Sequence, residues 1–135
     1  MKFIAVLVLS LLIPVAAFAG EPGGQKATDA AKSWLALVDA GDYAQSWRAA
    51  STLFNSHVME AQWNTAVSAA RAPLGSVVAR NVAGVNLATT LPGAPDGQYA
   101  VVKFATRFAN KAAATETIAM AKDGGSWKTA GYHVR

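Results

Sequence analysis

The apolar residues of this chain repeat at helical spacing up to Pro73-Leu74-Gly75 and at strand spacing after it. That switch fixes the order of the architecture: helices come first, strands second, and the two must pack as separate layers. Ala31, Trp34, Leu35 and Val38 form one helical stripe, with Thr28 or Asp29 as its cap and Gly41 as its close. Asp42 caps a second, short helix carrying Tyr43, Trp47 and Ala50. A third starts near Asn55 or Ser56 and carries Met59, Trp63, Ala66, Val67 and Ala70. Pro73 is expected to push Ala72 out of helical geometry and end that helix, and Arg71 sits where the helix dipole favours a cation.

Beyond Gly75, residues 76–91 read as one strand bent at Gly84, and Pro92 opens a turn that lasts to Gly97. Residues 99–109 alternate most clearly, with Val102, Phe104 and Phe108 on one face and Tyr99, Lys103 and Arg107 on the other. A two-residue turn at Asn110-Lys111 leads to a strand over residues 112–121. A turn at Asp123-Gly124-Gly125-Ser126 leads to the last strand, residues 127–134. The expected fold is therefore α+β, with three N-terminal helices packed on one face of a four-stranded antiparallel sheet.

The N-terminus has another purpose. Lys2 precedes an apolar run over residues 3–13, Pro14 breaks it, and Ala17-Phe18-Ala19 offers the small-x-small pattern of a cleavage site. Residues 1–19 are expected to be a signal peptide, residues 20–26 a flexible tail, and residues 27–135 a single α+β domain. The expected location is periplasmic or secreted, with no stable membrane insertion after cleavage. Loss of Lys2 with the leader leaves eleven cations against eight carboxylates, a net charge of +3. The cations are scattered without a basic run, which argues against nucleic acid as a partner. The chain has no cysteine, so neither a disulfide framework nor a thiolate metal site is available.

Little else points to chemistry. His57 and Glu60 share a helix face but are two ligands where a metal needs three or four, so no metal and no cofactor is expected. Gly124-Gly125 lacks the lysine and the following helix of a phosphate loop. One constellation remains. With Asn110-Lys111 as the turn, Ala105 opposes Glu116, and Lys103 and Arg107 become its diagonal neighbours. With a four-residue loop at the next hairpin, Lys122 pairs with Trp127 and Glu116 meets His133. Lys103, Arg107, Glu116, Trp127 and His133, with Ile118, Met120 and Arg135, would then share the sheet face opposite the helices. That face reads as the contact surface of a non-enzymatic binding domain. Its partner would be a second copy, an envelope protein, or an anionic ligand drawn to Lys103, Arg107 and Arg135. The alternative is a small enzyme with a pocket between helices and sheet, using Glu116 and His133 as acid and base.

Residues 35–47, Trp63 and Arg71-Ala72-Pro73-Leu74-Gly75 resemble the small exported proteins grouped as domain-of-unknown-function family 4019. So do Leu91-Pro92-Gly93, Asp96-Gly97-Gln98-Tyr99, Phe108-Ala109-Asn110-Lys111, Glu116-Thr117 and Gly131-Tyr132. The resemblance covers nearly the whole mature chain and implies no catalytic residue. The element order also resembles the nuclear-transport-factor-two-like fold, an analogy of architecture alone.

Overall fold

A computed structural model describes residues 22–135; the expected leader and its expected cleavage site lie outside them. The helices are α1 (Pro22–Asp39), α2 (Tyr43–Ala49), α3 (Thr52–His57) and α4 (Glu60–Arg71), followed by a 3-10 turn at Ala72–Leu74. The strands are β1 (Val77–Ala88), β2 (Tyr99–Phe108), β3 (Lys111–Asp123) and β4 (Ser126–Val134). They form one antiparallel sheet in the order β1-β2-β3-β4, and the helices lie on one of its faces. The α+β class and the layering are as expected. Among the described residues no helix is long and apolar enough to cross a membrane.

The first helix begins earlier than its apolar stripe. Residues 22–26, expected to be tail, form its first turns, and Thr28 donates from Oγ1 to Gly24 O at 2.8 Å. Glycine is a poor helix former, but here tertiary packing decides. A Cβ on Gly24 would stand 3.2 Å from Val85 Cγ1, so the missing side chain lets the helix lie close on β1. Farther along, Ala27, Ala31, Trp34, Leu35 and Val38 are buried as the stripe requires.

The third expected helix is two. Ser51 caps α3 by accepting from Phe54 N at 3.1 Å, and the chain turns extended at Val58 and Met59 before α4. Three tryptophans anchor this layer. Trp34 Nε1 donates to Ser46 O and Trp63 Nε1 to Ser46 Oγ, both at 2.9 Å, while Trp47 Nε1 reaches Val58 O at 2.8 Å. Each indole thus buries apolar area without stranding its donor. Against them stand Val102, Phe104, Ile118 and Met120, all fully buried, each contributing about 1.5–3 kcal/mol by leaving water.

At the helix-to-strand junction Ala72 keeps helical angles, φ −56° and ψ −45°, so Pro73 does not expel it. The α-helix tightens instead into the 3-10 turn, and Gly75 reverses the chain at φ +76°. This junction docks on the β2–β3 hairpin: Asn110 N donates to Leu74 O at 2.8 Å, and Ala109 N to Ser76 O at 2.8 Å. A Cβ on Gly75 would meet Ala109 Cβ and Asn110 Nδ2 at 3.1 Å. Gly75→Val, with both a strained φ and this crowding, should cost roughly 1–3 kcal/mol in urea denaturation. An unchanged midpoint would show that the junction is not constrained.

Candidate functional site

The registers decide which side chains meet. In the β2–β3 hairpin Phe108 pairs with Lys111, so the turn residues are Ala109 and Asn110, one position earlier than expected. A bulge between Thr106 and Phe108 then sets Phe104 opposite Glu116 and Lys103 opposite Thr117. The period of a strand is two, so this slip of one residue carries Glu116 to the other face. At the β3–β4 hairpin Gly124 and Gly125 take φ +63° and +86°, and Lys122 does pair with Trp127. A second irregularity, between Ala119 and Met120, sets Glu116 against Val134 and Thr117 against His133.

The expected constellation is therefore divided. Lys103, Arg107 and His133 stay on the open face and are exposed. Glu116 is fully buried beneath the helices, with Ile118 and Met120 beside it in the alternation. Trp127 also turns inward. It packs at the margin of the core, with Lys122 Nζ 5.1 Å from its ring centroid. Glu116 and His133 lie on opposite faces of the sheet and cannot act as an acid–base pair.

A buried carboxylate must find donors, and Glu116 has four. Arg80 from β1 donates from Nε to Oε1 at 2.8 Å and from Nη2 to Oε2 at 3.2 Å. Thr106 Oγ1 donates to Oε1 at 2.6 Å, and Tyr132 Oη to Oε2 at 2.5 Å. Arg80 also grips Asp39 at the end of α1, from Nη1 at 2.7 Å and from Nη2 at 3.0 Å. Arg71, in the last turn of α4, donates from Nη2 to the same carboxylate at 2.8 Å. Its guanidinium lies 5.0 Å from the centroid of Phe108. Two cations and two anions thus form a neutral chain from the helix ends to the middle of the sheet. Asp39 on its own would be unfavourable at a helix C-terminus; Arg71 and Arg80 reverse that sign.

The protonation states follow from this geometry. Burial, the largest effect, opposes the charge on Asp39, but hydrogen bonds from Arg80 and Arg71, with their charges, outweigh it and hold the carboxyl below its ordinary value of 3.8. Burial likewise opposes charge on Arg80, and the bonds to Asp39 and Glu116 overcome it, so its pKa is raised and the cation is permanent. Burial, then the charge of Glu116 and the bond to it, push the Tyr132 phenol up, so it stays a donor. A charged Asp39, a permanent Arg80 cation and a Tyr132 phenol that keeps its proton suit a site that fixes structure.

Sequence reasoning missed the network, although one signal for it was present. Glu116, Ile118 and Met120 alternate on one face, and two large apolar residues there imply that the face is covered. A glutamate on a covered face demands a cation, and Arg71 and Arg80 were the candidates. Asp123 is a smaller surprise: it accepts from Thr52 N and Oγ1, both at 2.8 Å, and so ties α3 to the last hairpin.

The open face is the complement of this interior. Lys103, Thr117 and His133 follow one another across β2, β3 and β4, and Ala105, Thr115 and Arg135 form the next row. At about 4.8 Å per strand, Lys103 and His133 sit roughly 10 Å apart over a threonine. Arg107 lies beside Ala79 of β1, above a shallow hollow of about 520 Å³ floored by alanine and threonine. Most carboxylates of the described residues are engaged elsewhere: Asp29 accepts from Gln25, Asp42 caps α2, Glu60 faces Arg48, and Asp39, Glu116 and Asp123 are bound as above, while Asp96 is exposed in the β1–β2 turn.

These features define the class: an α+β domain whose helices are locked to the sheet by buried charge and whose free face carries Lys103, Arg107, His133 and Arg135. The chain matches the model of the family described as protein of unknown function (DUF4019) over residues 30–132, and it belongs to that family. The match spans every member of the buried network. No curated protein matches the chain.

The Asp39 linkage can be tested. Its folded pKa is below its unfolded value, so it stabilises the fold at neutral pH and this contribution is lost as pH falls from about 4 downward. Asp39→Asn should be less stable than wild type at pH 7, with a difference that shrinks between about pH 4 and pH 2. A difference independent of pH would contradict the assignment.

Proposed function

We propose that the mature domain is a non-enzymatic binding module, exported to the periplasm or beyond, whose open sheet face receives a negatively charged partner. The observation that carries this reading is the clustering of charge: Lys103, Arg107, His133 and Arg135 share one exposed face, and Glu116, the acid between them in the sequence, is buried on the other. Charges of both signs, interspersed, would be the ordinary surface of a soluble domain. A single sign over a flat face raises the local concentration of an anionic partner and speeds its encounter. The small residues between the cations, Ala105, Thr115 and Thr117, let a partner approach the backbone, and the hollow beside Arg107 gives an acidic group a place to sit.

The partner is an anionic ligand or the acidic surface of another envelope protein. Self-association through this face is disfavoured, because a two-fold dimer would set these like charges against each other. Export rests on the sequence of residues 1–19, and the secreted form should begin at Gly20 by intact mass.

Retention on heparin, a soluble polyanion, tests the surface. The mature domain should bind at low ionic strength and elute as salt screens its charges. Lys103→Glu/Arg107→Glu should weaken binding about tenfold or more with an unchanged circular-dichroism spectrum. Retention equal to that of wild type would remove the open face from the function.

A further inference from the structure

A groove of about 690 Å³ runs along the free edge of β4, on the far side of Tyr132 from the charge network. The break between α3 and α4 forms one wall, with Leu53, Phe54, Val58 and Trp63. The β1–β2 connection forms the other with Leu91 and Pro92, and Gly131, which has no side chain, opens the floor. The volume falls within the range of small-ligand sites, roughly 300–1,000 Å³, and the lining is apolar as in such sites.

Only three lining residues carry polar side-chain atoms, and two of those atoms are already committed inward. Trp63 Nε1 donates to Ser46 Oγ, and Tyr132 Oη donates to Glu116. The third residue is His57. Its Nδ1 lies 2.9 Å from Leu53 O, and a carbonyl only accepts, so Nδ1 carries hydrogen. That leaves Nε2 as the polar side-chain atom the groove offers: an acceptor on the neutral ring, a donor on the protonated one. A ligand with many polar groups would lose their hydration there without replacement.

We infer that this groove binds an amphiphile, a molecule with an apolar body and one hydroxyl or carboxylate head placed against His57 Nε2. The groove touches the open sheet face only at Ala119 and Gly131 and includes neither Lys103 nor Arg107, so either site can fail without the other.

Titration calorimetry with dodecanoate and dodecanol is the test. Each probe should bind the mature domain saturably at one site. Ala66→Trp, which adds an indole from the exposed face of α4 into the groove, should abolish both; Ala94→Trp does the same from the opposite wall should the first variant fold poorly. His57→Ala should weaken both probes about tenfold, the scale of a lost hydrogen bond to a partly or fully charged group. Lys103→Glu/Arg107→Glu should leave dodecanol and dodecanoate binding intact. Failure of both probes to bind overturns the inference. So does dodecanoate binding that survives both tryptophan variants and disappears with the Lys103 and Arg107 changes.

Discussion

One guanidinium holds the two layers together. Arg80 reaches from β1 to Asp39 at the end of α1 and to Glu116 in the middle of β3, with two hydrogen bonds to each carboxylate. The planar fork of arginine suits this task, because it can meet two carboxylates edge-on at once. Around it the sheet must carry Glu116 inward, α1 must end at Asp39, and α4 must deliver Arg71. Apolar burial supplies most of the drive to fold, but it is non-directional. The charge chain specifies which way the helices lie.

Its energetics are those of a matched set. A buried ion pair is weak evidence of net stability, since desolvation offsets much of the attraction, but removal of one partner strands the other at a cost of about 3–5 kcal/mol. Here the set is neutral and every carboxylate oxygen accepts at least one hydrogen bond, while Arg71 leaves Nε and Nη1 without a hydrogen-bond partner. Arg71 contributes to the same balance through its contact with Phe108, where the ring replaces part of its lost hydration. The consequence reaches the opposite surface. With Glu116 drawn inside, Lys103, Arg107 and His133 stand on the open face without it, so the interior network and the proposed binding surface have one cause.

Much of this architecture was legible in the sequence, and the reasons for the misses are local. The change of hydrophobic period at Gly75 located the boundary between layers, and the paired glycines at 124 and 125 located the last hairpin, because only glycine takes positive φ there without cost. The helical start at Pro22 was hidden because glycines at 23 and 24 read as loop until the close approach of Val85 and Leu87 is known. The candidate site depended on strand register, which periodicity alone does not fix. Asn110 suits either position of a tight turn, and each choice gives an alternating strand of the same quality. The bulges near Thr106 and Ala119 leave no mark in composition, yet they decided the placement of Glu116 and its separation from His133. Lys103, Arg107 and His133 fell on the open face because their strands were phased by neighbours such as Phe104 and Phe108.

The central claim is that Arg80 and Glu116 are worth more together than apart. A double-mutant cycle in urea, with Arg80→Met, Glu116→Gln and both combined, measures this directly. The account predicts that each single change destabilises by about 3–5 kcal/mol and that the double change costs clearly less than their sum. Strictly additive losses would mean that the two side chains act independently, and the network would then not be what joins the helices to the sheet.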